Sequence, residues 1–291
     1  MSNIEIGRII NIISNIFFVE INNNIMQCTS RGIFKEKEIK PIAGDIVKVN
    51  TEDLSIQEVC KRNSYIKRPK IANVSKIILV VSAKKPKPDL LMLDKQLAFA
   101  EYLNIEPIII INKVDLDNNI AEEIKKIYSS IGYKVILTNA KELNIDLSEL
   151  NQELKNNISV FSGNSGVGKS TLINDLFNKE ITEEGEISHK NKKGKNTTTS
   201  TKLYKLENNT YIADTPGFSN FDIYEIPYKE VYKYFKEFNK YIEKCEYQDC
   251  THIKEEICGV KKEVGNYISK LRYENFKEIY QDLKDREEHK W

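Results

Sequence analysis

Gly163-Asn164-Ser165-Gly166-Val167-Gly168-Lys169-Ser170 lies between an apolar segment at 158–161 and the run Thr171-Leu172-Ile173-Asn174-Asp175-Leu176. The order reads as strand, loop, helix, and the octapeptide fits the pattern G-x-x-x-x-G-K-[ST]. Its glycines let consecutive backbone N–H groups curl around a phosphate at a helix N-terminus, where the dipole also favours an anion. In that arrangement residues 163–168 cradle the phosphates and Lys169 neutralises the β- and γ-phosphates. Ser170 offers a hydroxyl to Mg²⁺, and Thr171 continues the helix. A chance Gly/Ser loop is the alternative, and it leaves the flanking strand and helix unexplained.

The surrounding pattern extends that unit. Lys76-Ile77-Ile78-Leu79-Val80-Val81-Ser82 is a continuous apolar run, as a parallel strand buried on both faces requires. An amphipathic helix is expected at 90–103, a second buried strand at 107–111, a helix at 121–131 and a strand at 134–137. After the phosphate loop a further strand at 211–213 leads to Asp214. This alternation predicts a doubly wound α/β sheet.

The ends of the chain differ in character. Residues 1–66 carry short alternating apolar segments separated by Asn22-Asn23-Asn24 and Ala43-Gly44-Asp45, which predict a small OB-type β-barrel. Such barrels often hold oligonucleotides, and many hold none. From Pro227 onward the pattern is helical and rich in aromatics, including Tyr228, Tyr232, Tyr234, Phe235 and Phe238, then Tyr267, Leu271, Phe276 and Tyr280. Such a stripe is read as core, with ligand stacking as the alternative. The expected division is 1–66, 67–222 and 223–291.

Directly after the strand at 108–111 stands Asn112-Lys113-Val114-Asp115. A carboxylate at Asp115 can accept both N1–H and N2–H of guanine, whereas adenine would leave it unpaired, so the chemistry favours GTP over ATP. Asn112 would hold the base and the neighbouring loop, and the Lys113 stem would cover a ring face. Asp214-Thr215-Pro216-Gly217 follows the strand at 211–213; Asp214 is placed to hold Mg²⁺ through water, and the Gly217 N–H to meet the γ-phosphate. Between these elements, Gly194-Lys195-Asn196-Thr197-Thr198-Thr199 would present a threonine hydroxyl, Thr198 or Thr199, to Mg²⁺ only when the γ-phosphate is present. A plain polar loop is the other reading of that segment.

Three of the five cysteines cluster with a histidine: Cys245-x₄-Cys250-x-His252-x₅-Cys258. Three thiolates and one imidazole suit a closed, tetrahedral, structural zinc site, and no ligand is missing as it would be in a catalytic one. Cys28 and Cys60 are read as small core residues. A formal net charge of +1 over 291 residues gives no sign of a polyanion binder. The basic runs at 61–70 and 190–195 are read as solvated loops or as local polyanion contacts. No apolar stretch reaches membrane-span length, the N-terminus is unlike a signal peptide, and the expected compartment is the cytoplasm.

The order of elements is unusual, with base-recognition residues first, the phosphate loop next and the Asp214 segment last. Together with the leading β module and trailing Cys/His cluster, it resembles the RsgA (YjeQ) family of circularly permuted GTPases. The residues that carry the likeness are Cys28-x-x-Arg31-Gly32, Gly44-Asp45, Arg68-Pro69, Lys113-Val114-Asp115-Leu116, the phosphate loop, Asp214-Thr215-Pro216-Gly217-Phe218 and the terminal cluster. The resemblance implies a GTP hydrolase active late in maturation of the 30S ribosomal subunit. It further implies that barrel and zinc domain grip 16S rRNA, that the subunit stimulates hydrolysis, and that the cofactors are Mg²⁺ with the nucleotide and one structural Zn²⁺. The chain is expected to act as a monomer away from membranes.

Two departures from the family pattern bear on chemistry. Asn196 stands where the family usually carries a histidine that orients water, and Asn139-Ala140 replaces the Ser-Ala pair whose second N–H meets guanine O6. Phe218 stands where Ras-like enzymes carry glutamine. An amide at Asn196 can hydrogen-bond a water but cannot take up its proton; His189 is a nearby substitute or a loop histidine. The alternative function is a GTP-regulated rRNA-binding module with negligible hydrolysis. A different permuted GTPase acting on the large subunit and a P-loop metabolic kinase fit the motifs less well.

Overall fold

The computed structural model describes residues 3–30, 40–139, 147–184, 201–214 and 223–289. Strands β1 (Ile4–Ile13), β2 (Ile16–Ile21), β3 (Asn24–Ser30), β4 (Ile46–Asn50) and β5 (Ser55–Val59) form a closed barrel in the order β1-β2-β3-β5-β4. The pairings of β1 with β2, β2 with β3, β1 with β4 and β4 with β5 are antiparallel, and closure comes from a short parallel pairing of Thr29 with Ser55 and Ser30 with Ile56. Alternate residues point inward, so Ile9, Phe17, Val19, Ile21, Cys28, Val47, Val49 and Ile56 make the barrel core. Cys28 is that core residue, whereas Cys60 is only half-buried.

The basic run at 61–70 folds mainly as a ribbon of β6 (Tyr65–Lys67) and β7 (Lys70–Ala72). Next come β8 (Lys76–Ser82), α1 (Leu90–Tyr102), β9 (Glu106–Asn112), α2 (Asn118–Ser130), β10 (Lys134–Thr138), α3 (Ser148–Leu154), β11 (Ile158–Ser162), α4 (Lys169–Glu184), β12 (Lys202–Glu207) and β13 (Thr210–Asp214). The six-stranded sheet runs β10-β9-β8-β11-β13-β12; β10 pairs with β9, and β11 with β13, in parallel, whereas β12 joins β13 antiparallel. Every residue of β8 and β11 is buried, as their apolar runs demand. Helices α1 and α2 start where Asp89 and Asp117 cap the free N–H groups of Met92 and Ile120.

The C-terminal segment is less regular than its aromatic pattern suggests. It runs through 3₁₀ turns, α5 (Gly259–Lys262) and only then a long helix, α6 (Lys270–Glu288). Phe235, Phe238, Tyr273 and Phe276 are buried as expected, but Tyr267 is 76% exposed and Leu271 is also exposed. Tyr267 lies in the turn before α6, its ring stacked on that of Tyr241, and Leu271 lies in the first turn of α6 itself.

The described residues group into two compact units. One lies within Met1–Ile78, Leu143–Ser162 and Lys169–Phe218, the other within Leu79–Glu142, Gly163–Gly168 and Ser219–Trp291.

Candidate nucleotide and metal sites

Gly163 and Gly168 bracket the loop with positive φ of 140° and 105°. A Cβ on Gly163 would stand 2.1 Å from the Val80 carbonyl oxygen, and one on Gly168 would stand 2.1 Å from Asn112 Nδ2. Both positions therefore exclude a side chain on conformation and on space. Between them Asn164 Nδ2 donates to Asp89 Oδ2 at 3.1 Å, which ties the loop to the cap of α1. Ser165, Ser170 and Thr171 are exposed. Burial holds the Lys169 ammonium below its ordinary value.

Asn112 closes β9 fully buried. Its Nδ2 donates to the Val167 carbonyl at 2.8 Å, and its Oδ1 accepts from the Lys113 N–H at 2.8 Å and the Thr138 hydroxyl at 3.1 Å. Lys113 takes a left-handed backbone, φ 62°, and its Nζ donates to the carbonyls of Lys85 at 2.5 Å and Gly166 at 2.6 Å. The motif at 112–115 is thus bonded directly to the loop at 163–168. Asp115 lies in the single turn Val114–Leu116, exposed and with no bonded partner among the described residues. Asn139 ends the described part of that strand's exit.

Ala140, Asn196, Thr198, Thr199 and Gly217 lie outside the described residues, as do His189 and Phe218, and Asp214 is described as the last backbone position of β13. Sequence reasoning missed Thr138 and Asp89. The second had a legible signal, an aspartate immediately before an apolar helical run; a lone threonine at a strand end carries none.

Cys245, Cys250, His252 and Cys258 bring their donor atoms within 4.8 Å of one another. His252 Nδ1 stands 3.5, 3.4 and 3.3 Å from the sulfurs of Cys245, Cys250 and Cys258, and the Cys245 and Cys258 sulfurs are 3.9 Å apart. Around a tetrahedral Zn²⁺ the sulfurs would sit about 3.8 Å apart and sulfur and nitrogen about 3.5 Å apart, so the donor set fits that ion. Burial holds the fully buried His252 down to about 4, which keeps its imidazole neutral as a ligand must be. Burial also pushes the Cys250 and Cys258 thiols up, so they need a cation beside them to ionise.

The ligand loop is braced by its surroundings. The N–H groups of Gly259 and Lys261 donate to the sulfurs of Cys245 and Cys258 at 3.3 and 3.4 Å, and Tyr273 donates to the His252 carbonyl at 2.8 Å. The Glu255 carboxylate accepts from Thr251, Ile253 and Lys254; against burial, these bonds bring it down to about 2.

Comparison with known proteins agrees with this arrangement. The RsgA N-terminal domain model matches residues 6–56 and the RsgA GTPase model residues 59–224. The chain is 39% identical to the small ribosomal subunit biogenesis GTPase RsgA of Ruminiclostridium cellulolyticum, covering 97% of this chain and 94% of that protein. To the same-named protein of Clostridium beijerinckii it is 40% identical over 98% and 99%. Among solved structures, YjeQ from Thermotoga maritima superposes with a TM-score of 0.83 at 34% identity, covering 96% of this chain and 98% of that one. YloQ, a circularly permuted GTPase, gives 0.81 at 30%, covering 98% and 96%. With both its terminal barrel and its permuted nucleotide-binding core matched, the chain belongs to the RsgA family of circularly permuted GTPases.

Proposed function

We propose that this GTPase hydrolyses GTP to GDP and phosphate by in-line attack of water, and that it acts late in assembly of the small ribosomal subunit, in the cytoplasm and as a monomer. The observation that carries the nucleotide assignment is the direct bonding of Asn112 and Lys113 to the loop at 163–168. Base recognition and phosphate binding then share one rigid frame, so a guanine nucleotide bridges both.

In this reading Asp115 accepts the guanine N–H pair, with Asn112, Lys113, Asn139 and Ala140 around the base. Residues 163–168 donate N–H groups to the phosphates, Lys169 pairs with the β- and γ-phosphates, and Ser170, Thr171 and either Thr198 or Thr199 complete the phosphate and metal side. Mg²⁺, when bound with GTP, neutralises charge on the β- and γ-phosphate oxygens. Asp214 orients a water on the metal side, the Gly217 N–H meets the γ-phosphate and Asn196 positions the attacking water. Positioning and electrostatics supply the catalysis, because Asn196 cannot act as a base.

Cys245, Cys250, His252 and Cys258 hold one structural Zn²⁺, supported by their donor spacing. The division 1–66, 67–222 and 223–291 separates a barrel and a zinc segment that contact 16S rRNA from the GTPase core between them. The names of the relatives support the partner, the small ribosomal subunit.

The test is GTP turnover by the purified protein alone and with 30S subunits, with ATP and 50S subunits as controls. Acceleration by 30S alone is expected, with Asn196→Ala lowering the accelerated rate. GTP binding without turnover under any of these conditions would leave the chain a GTP-regulated RNA-binding module, the reading that Asn196 and Phe218 favour.

A further inference from the structure

Strand β12 is an edge of the six-stranded sheet, with β13 as its neighbour there. An edge strand has ladder hydrogen bonds on one side only, and this one also shifts register against β13 between Lys205 and Glu207. Backbone held on one side opens more readily than the middle of a sheet. β12 therefore needs support from another element, and the barrel supplies it.

The support converges on one carboxylate. Glu20 of β2 is 9% exposed; its Oε1 accepts from Lys205 Nζ at 2.5 Å and its Oε2 from the Tyr211 hydroxyl at 2.8 Å. Lys205 and Tyr211 face each other across the β12–β13 ladder, so one barrel side chain grips both strands at the same rung. Lys205 Nζ also reaches Asn23 Oδ1, at 2.9 Å. Arg8, opposite Glu20 in the β1–β2 ladder, lies 5.3 Å from the centre of the Tyr211 ring and adds positive charge beside the carboxylate. Burial and the bond to Glu20 push the Tyr211 hydroxyl up to about 12, so it stays a donor.

Stability alone does not account for this arrangement. An apolar pair of the same size would hold two surfaces together about as well as a buried ion pair. Directional bonds to a cross-strand pair add alignment. Three residues from the Lys205/Tyr211 rung, about 10 Å along the strands, Lys202 is paired with Asp214. Thr199 precedes Lys202 by three positions, and Gly217 follows Asp214 by three. Under the proposed function the two arms of this hairpin lead to the groups that meet Mg²⁺ and the γ-phosphate, Thr198 or Thr199 on one arm and Asp214 and Gly217 on the other.

We infer that Glu20 is a positioning residue for the γ-phosphate: by gripping Lys205 and Tyr211 it aligns the strand pair that carries those groups, and so couples the barrel to GTP and not to GDP. The inference rests on the nucleotide reading above. Alignment held in advance lowers the cost of ordering both arms around the γ-phosphate, which GDP lacks. The coupling is reciprocal, so GTP strengthens the docking of the barrel by the factor that docking strengthens GTP binding. A partner that shifts Glu20 acts on the γ-phosphate without touching the nucleotide.

The test is a double-mutant cycle on the full-length, zinc-loaded protein. Glu20→Gln, Lys205→Met and the two combined are titrated calorimetrically in Mg²⁺ with GDP and with the non-hydrolysable analogue guanosine 5′-(β,γ-imido)triphosphate. Each single variant is expected to weaken the analogue about five- to tenfold and GDP less than about twofold, and the two losses should not add in the double variant. Amide exchange at 16–21 should slow when the analogue replaces GDP on the native protein, and not on Glu20→Gln. Lys205 is exposed, so Lys205→Met decides the matter if Glu20→Gln does not fold. Equal losses for both ligands, or no loss in folded variants, mark a purely structural ion pair and overturn the inference. Native protein that binds neither ligand overturns the nucleotide reading and this inference with it.

Discussion

The Asn112 carboxamide donates from Nδ2 to the carbonyl of Val167, 2.8 Å away and 55 positions later in the chain. One buried side chain therefore closes a strand, supports Lys113 through its own Oδ1 and clamps the loop that precedes α4. The segment at 112–115 and the loop at 163–168 are therefore mechanically joined, which under the proposed function lowers the cost of organising the site on binding.

Asn112→Ala leaves the Val167 carbonyl and the Thr138 hydroxyl without this partner in a buried place. Affinity for GTP and GDP is expected to fall together, by about 10- to 100-fold, with stability lower by about 2 kcal/mol. Asp115→Ala should instead weaken guanine nucleotides at unchanged melting temperature, since Asp115 is exposed and has no bonded partner among the described residues. Calorimetric titration and thermal melts of both variants separate the two effects.

Gly168→Ala places a methyl group 2.1 Å from Asn112 Nδ2 at φ 105°. Either the loop or the Asn112 bond must yield, so nucleotide binding should be lost while the barrel remains folded. Binding of a fluorescent GDP analogue, read beside the far-ultraviolet circular dichroism spectrum, checks this.

Removing the metal tests the C-terminal segment. Three sulfurs, two of them on buried cysteines, and a neutral imidazole within 4.8 Å have little reason to stay together without a cation. One zinc per chain is expected by elemental analysis, and a chelator or Cys250→Ser should increase amide exchange between 245 and 258 with little change in β8 to β10.

Arg272, with 1% of its surface exposed, meets both Glu237 and Asp94. Tyr128 and Asn275 also donate to Asp94, at 2.9 and 2.7 Å. One guanidinium faces two carboxylates, and burial, only partly offset by Arg272, raises Asp94 to about 6. The folded state therefore holds a proton that the unfolded chain releases near pH 4. The stability this proton contributes is fully present below about pH 4 and is lost as pH rises through about 6, an effect of up to about 3 kcal/mol. Asp94→Asn should remove that component, so the stability difference between variant and native protein should move in the variant's favour from pH 4 to 7. Denaturant melts across that range measure it, and a constant difference would refute the assignment.

Much of the site was legible because its chemistry resides in contiguous residue types. The loop pattern needs its glycines and lysine at adjoining positions, the N-K-x-D pattern needs its aspartate three residues past its asparagine, and the three cysteines and one histidine that cluster lie within fourteen positions. The strands β8 and β9 were equally plain, since burial on both faces leaves an unbroken apolar run. The exposure of Tyr267 and the 3₁₀ character of the segment before α6 were not, because an aromatic spacing does not reveal which neighbours arrive to cover it.

The sequence by itself determined the family of permuted GTPases, the Cys/His cluster and the order of barrel, core and Cys/His segment, each of which depends on local spacing and side-chain chemistry. Only the tertiary structure decided that His252 turns Nδ1 to the sulfurs, that β3 meets β5 in parallel to close the barrel, and that Glu20 of the barrel is held by both Lys205 and Tyr211. Those outcomes depend on which distant groups compete for one partner in a packed interior, and that competition is settled by geometry that no local pattern encodes.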